Sequence, residues 1–174
     1  MTASNQFSVR VFQVICDRYR SRAGDLAALI GADVDFREWL VAEAFLACER
    51  LRATGDFCEA TWRPSYSSEG VADGAELGDL RVGGPHEGAD HCWLFAEFAL
   101  LRESRSLDVQ AAKLKRLGWK KSAALAIVIA VDSAAAGWDG PPLVAPVAIQ
   151  LPGGPSLTIT AFDMKQDPND ILAG

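Results

Sequence analysis

The chain has 174 residues, 49% of them hydrophobic and 23% charged, a size and balance that predict one soluble globular domain spanning 1–174. A formal net charge of −6 and a pI near 4.9 exclude a surface that attracts nucleic acid all over, because counterion release needs clustered lysine and arginine. The longest apolar run, Ala123 to Val131, is closely bounded by Lys120, Lys121 and Asp132 and is far too short to span a bilayer.

In chain order, apolar residues at Val11, Val14 and Ile15, followed by Arg18-Tyr19, predict an amphipathic helix from Phe7 to about Arg22. A helical turn around Asp25 to Ile30 is stopped by Gly31. Asp33 or Asp35 then caps a long helix from about Phe36 to Ala53. On that helix Phe36, Trp39, Leu40, Ala47 and Leu51 form one stripe, and Glu43 belongs to it. Its carboxylate is therefore expected at the core or at a cleft beside it, where a charge is costly without a partner or a metal.

Beyond Thr54-Gly55 the pattern turns extended. Residues 57–66 alternate polar and bulky side chains, with Pro64 marking the edge or end of a strand. The segment from Ser67 to Gly78 reads as a loop, and a short strand follows at Asp79-Leu80-Arg81-Val82, closed by Gly83-Gly84. Residues Cys92 to Leu101 are almost continuously apolar, as in a central strand, and Glu97 is the one charge among them. A helix is expected from about Leu107 to Leu117, ended by Gly118, and a doubly buried strand from Ala123 to Val131. Two last strands, about Val144 to Leu151 and Leu157 to Met164, flank Pro152-Gly153-Gly154-Pro155 as a C-terminal hairpin.

Cys16, Cys48, Cys58 and Cys92 form no C-x-x-C unit and are expected to be free thiols. His86 and His91 lie in a Gly/Pro-rich loop whose spacing matches no zinc module. The N-terminus has neither a basic stretch nor a continuous apolar one, so a cytoplasmic location is expected. Lys113, Lys115, Arg116, Lys120 and Lys121 put five basic residues in nine around Trp119. They read as a solvated helix end, with nucleic-acid contact as the alternative.

From Val34 to Asp132 the order is helix, three strands, helix, strand, with acids at Glu43, Asp79 and Glu97. This order resembles the core of the PD-(D/E)XK, or restriction-endonuclease-like, superfamily. The resemblance covers about 100 residues. It implies an α/β fold with a three-layer αβββαβ core over about 34–132. The N-terminal helix (7–22) and the C-terminal hairpin (144–164) then lie outside that core and offer a surface for a partner or for self-association.

The resemblance also implies a site, in which Asp79 and Glu97 hold Mg²⁺ and Glu43 supports them. Carboxylate oxygens suit that hard cation, and a neighbouring lysine positions or activates water. The lysine belongs two residues after the strand glutamate, on the same face, where this chain has Ala99. Lys113 and Lys115 are the nearest substitutes. Arg81 shares a strand face with Asp79 and is expected to neutralise Glu97 or Glu43.

The leading expectation is therefore a nuclease-like protein with a degenerate site that works by binding a macromolecule, as an inhibitor, immunity or accessory protein. An acidic chain complements a basic protein partner. The alternatives are a Mg²⁺-dependent phosphodiesterase with a displaced lysine, and an α/β domain with a small-molecule pocket near the Gly83 to Cys92 loop.

Overall fold

A computed structural model describes residues 3–65, 77–84, 93–101, 123–132 and 142–164. Helix α1 (Ala3–Ser21) places Phe7, Val11, Phe12, Ile15, Cys16 and Tyr19 on one buried face. Their spacing of three and four residues makes that face continuous along the helix. Helix α2 (Ala23–Gly31) is short and buries Leu26.

Helix α3 (Arg37–Thr54) starts where the Asp35 carboxylate accepts the Arg37 backbone N–H at 3.0 Å. It stops at Gly55, whose φ of 86° suits a residue without a Cβ. The Asp56 N–H then reaches the Leu51 carbonyl at 2.9 Å.

Among the described residues six strands follow: β1 (Glu59–Trp62), β2 (Leu80–Gly83), β3 (Trp93–Leu101), β4 (Ala123–Val131), β5 (Val147–Gln150) and β6 (Ser156–Asp163). They form one mixed sheet in the order β1-β2-β3-β4-β6-β5. Strands β1, β2 and β3 run antiparallel in sequence, β3 and β4 pair in parallel, and β6 is antiparallel to both β4 and β5. The protein is thus a mixed α/β structure. None of the described helices is long and apolar enough to cross a membrane.

The sheet buries both faces at its centre. Leu80, Val82, Leu94, Ala96, Phe98, Leu125, Ile127 and Ile129 join α1 and α3 in one apolar cluster. The alternate residues, Phe95, Ala99, Leu101, Ala124, Ala126, Val128 and Ala130, form a second cluster with Phe162 and Met164. Eight consecutive residues of β4 are buried, which explains its unbroken apolar sequence. Each large aliphatic side chain there contributes about 1.5–3 kcal/mol relative to an exposed position.

The terminal elements are more central than the sequence suggests. Helix α1 supplies a large share of the helix-side core, and the Tyr19 hydroxyl donates to the Leu40 carbonyl at 2.8 Å. Strand β6 pairs with β4 over seven residues, so the C-terminal hairpin extends the sheet instead of standing outside it. The hairpin turns through Gly153 and Gly154, with φ of 90° and 108°. The predicted helix 107–117, the basic run 113–121, both histidines and Cys92 lie outside the described residues.

Candidate functional site

The helix stripe predicts a buried Glu43, and Glu43 is 6% exposed. Its Oε2 accepts from Arg18 Nε at 2.6 Å, and Arg22 Nε stands 3.7 Å from Oε1. Both cations come from the end of α1 and its junction with α2, so the carboxylate closes onto the helical layer. The ion pair offsets the cost of desolvating the charge and fixes how α1 lies on α3.

Asp79 sits immediately before β2 and is 8% exposed. The β2/β3 register pairs Leu80 with Ala96 and Arg81 with Phe95, so one further step back along β2 brings Asp79 opposite Glu97. Glu97, 1% exposed, stands between Phe95 and Ala99 on the face turned away from the α1/α3 cluster. That one-step extension sets the two strand acids at neighbouring backbone positions. Glu43 belongs to the helical layer. Among the described residues, no group of three or more His, Cys, Asp and Glu is arranged to hold a metal ion.

A cation that the sequence does not announce stands beside Asp79. Arg37, in the first turn of α3, bonds Asp79 Oδ2 through Nη2, and the same oxygen accepts the Phe98 backbone N–H at 2.8 Å. Arg37 Nε donates to the Phe98 carbonyl at 2.9 Å, and its Nη1 reaches Glu38 at 2.7 Å. Arg37, Asp79 and Phe98 thus close a ring of hydrogen bonds where β2 has not yet begun. The ring satisfies both backbone groups of Phe98, which would otherwise leave polar atoms unmatched at a buried strand.

Burial works to lower the Arg37 pKa, but the fields of Asp79, Glu38 and Glu97 and the bond to Asp79 outweigh it, so the guanidinium is held above its ordinary value. Arg37 is a permanent cation set in the field of both strand acids. The fully buried Tyr19 is pushed well above the usual phenol range, first by burial and then by Cys16, Cys48, Glu43 and Asp79.

Arg81 meets an acid that the sequence reading did not assign to it. It bonds Glu59 on β1, the neighbouring strand, and its guanidinium lies 5.1 Å from the centre of the Trp93 ring. The charges that meet Glu43 and Asp79 include Arg18 and Arg37. Ala99 is buried in the second apolar cluster, and the proposed substitutes Lys113 and Lys115 lie outside the described residues.

A signal for Arg18 is present in the sequence, since it falls beside Tyr19 on the apolar stripe of α1. Arg37 carries none, because its partners are 42 and 61 residues away in sequence. Comparison with family models, curated proteins and solved structures returns no match.

Proposed function

We propose that the protein is a nuclease-like α/β domain with a degenerate site, acting by binding another macromolecule as an inhibitor, immunity or accessory protein. The observation that carries this reading is Arg37 on the Asp79 carboxylate. In a metal-dependent nuclease that oxygen would be offered to a cation; here a fixed guanidinium and the Phe98 amide engage it. A bound guanidinium neutralises the acid but supplies no open coordination position for water or phosphate.

Two further features support the nuclease-like part of the reading. The helix α3, the antiparallel run β1-β2-β3 and the parallel strand β4 come in the order that the resemblance implies for them, and the helix it implies between β3 and β4 lies outside the described residues. Extending the β2/β3 register by one residue also sets Asp79, immediately before β2, opposite Glu97 of β3. The three-layer arrangement belongs to this proposal, as do Asp79 and Glu97 as former metal ligands and Glu43 as their former support.

The net charge of −6 favours a basic protein as the partner. Such a complex weakens as salt rises, because exposed charges are screened over about 10 Å at 0.1 M ionic strength. The test is to isolate the partner from its native source and measure affinity against salt. A basic partner with a steep salt dependence fits the proposal; an acidic or neutral partner with no salt dependence sinks it.

The Mg²⁺-dependent phosphodiesterase stays as a second reading, because the β2/β3 register, extended by one residue, sets Asp79 and Glu97 at neighbouring positions. It requires Arg37 to leave Asp79 when metal binds.

A further inference from the structure

Helix α3 carries an exposed leucine, Leu46, on its outer side. Its inner side is made by Leu40, Val41, Ala44, Ala47 and Cys48, all buried. Opposite them Glu38, Ala42, Leu46 and Arg50 follow at four-residue steps and form a stripe. Leu46 is 43% exposed.

Phe45 borders the same stripe and stacks on Trp62 of β1, with ring centroids 6.1 Å apart. Trp62 is 45% exposed, and β1 is the outermost of the described strands on that side of the sheet. Single exposed apolar residues are ordinary on a protein surface. An exposed leucine beside an aromatic pair, rimmed by charge, is the pattern of a contact surface.

We propose that this face binds a second copy of the chain, with α3 packed antiparallel on its symmetry mate about a two-fold axis near the level of Ala44. The charges select that occupant. The stripe has an acid at its N-terminal end and a base at its C-terminal end, so the same stripe turned end for end is its own complement. Glu38 of one copy then faces Arg50 of the other at both ends of the contact, and Leu46 of each copy packs over the small Ala42 of its mate.

A two-fold contact must be self-complementary in this way. The Phe45 and Trp62 rings flank the centre, where aromatic anchors contribute most. This inference goes beyond the proposed function and does not depend on it.

Sedimentation equilibrium of the full chain over a concentration series provides the test. Wild type passes from the mass of one chain to that of two. Leu46→Glu stays at one chain, and its thermal midpoint matches that of wild type at concentrations where wild type is also a single chain, since position 46 faces solvent in the monomer. Glu38→Arg and Arg50→Glu each weaken association by about tenfold, because each sets like charges against each other at both ends. An equimolar mixture of those two variants restores it. The introduced arginine of one copy then meets the introduced glutamate of the other, while the native Glu38 and Arg50 meet at the far end.

A wild type that remains a single chain at every concentration overturns the proposal, as does a dimer indifferent to Leu46→Glu in a folded variant. If Leu46→Glu does not fold, the mixture decides: association no stronger than that of either charge variant alone overturns it.

Discussion

Arg37 and Asp79, 42 residues apart in sequence, meet on a single carboxylate oxygen that also holds the Phe98 amide. The contact fastens the first turn of α3 to the start of β2 and to the middle of β3. It continues the sheet's bonding past the end of β2 with side chains in place of backbone. The same contact sets a fixed positive charge where the proposed ancestral site would hold a metal.

Removing that guanidinium leaves Asp79 buried with its charge uncompensated and the Phe98 carbonyl without its donor. Arg37→Ala should therefore cost about 2–3 kcal/mol in urea unfolding. Arg37→Lys should recover only part of this, because one ammonium cannot span Asp79 and the Phe98 carbonyl as the planar fork does. Equal stability of wild type and Arg37→Ala would show that the ring is not holding α3 to the sheet.

Much of the framework is legible in the sequence, for reasons that differ between elements. Strand β4 is an unbroken β-branched and alanine run because it is covered on both faces, and its predicted bounds match the observed Ala123–Val131. The burial of Glu43 follows from its place on a 3.6-residue stripe. Arg18, the partner of Glu43, is hinted at by its place on the α1 stripe, but Arg37 on Asp79 is not legible, since an ion pair between distant segments leaves no periodic trace. A strand face alone does not announce that the Arg81 guanidinium reaches across the ladder to Glu59 on β1. Nor does periodicity reveal that the C-terminal hairpin enters the main sheet beside β4, because strand order is set by tertiary pairing.

Gly83 faces Trp93 across the β2/β3 ladder. A Cβ placed on it would lie 2.6 Å from Cys58 Sγ and 2.9 Å from the Trp93 ring. Gly83→Ala should thus destabilise the protein by about 1–3 kcal/mol through overpacking. Adding Cys58→Ala removes the tighter of the two contacts, so the double variant should be more stable than Gly83→Ala alone. Additive losses in thermal unfolding would contradict that coupling.

Burial pushes the Cys16 and Cys48 thiols from an ordinary value of 9.0 up to about 12. At Cys16, Arg20 opposes the shift and Asp17 adds to it. The folded state keeps these protons after the unfolded state begins to lose them, so unfolding releases protons in this window. The associated stability is complete below about pH 9 and falls as pH rises toward 12, by about 1 kcal/mol per pH unit for each thiol. Cys48→Ala should flatten that alkaline decline, whatever it costs at neutral pH. In native protein at about pH 8, Cys58 should be alkylated before Cys16 and Cys48, which are buried. Labelling of Cys16 and Cys48 at the rate of Cys58 would contradict this.

The degenerate-site reading is tested most directly by titrating Mg²⁺ and Mn²⁺ against thermal stability while incubating the same samples with DNA and RNA. With Arg37 on Asp79, wild type should show no metal-dependent rise in midpoint and no cleavage. A rise that is lost in Asp79→Ala and Glu97→Ala, accompanied by metal-dependent cutting of either nucleic acid, would contradict it and establish the enzyme instead.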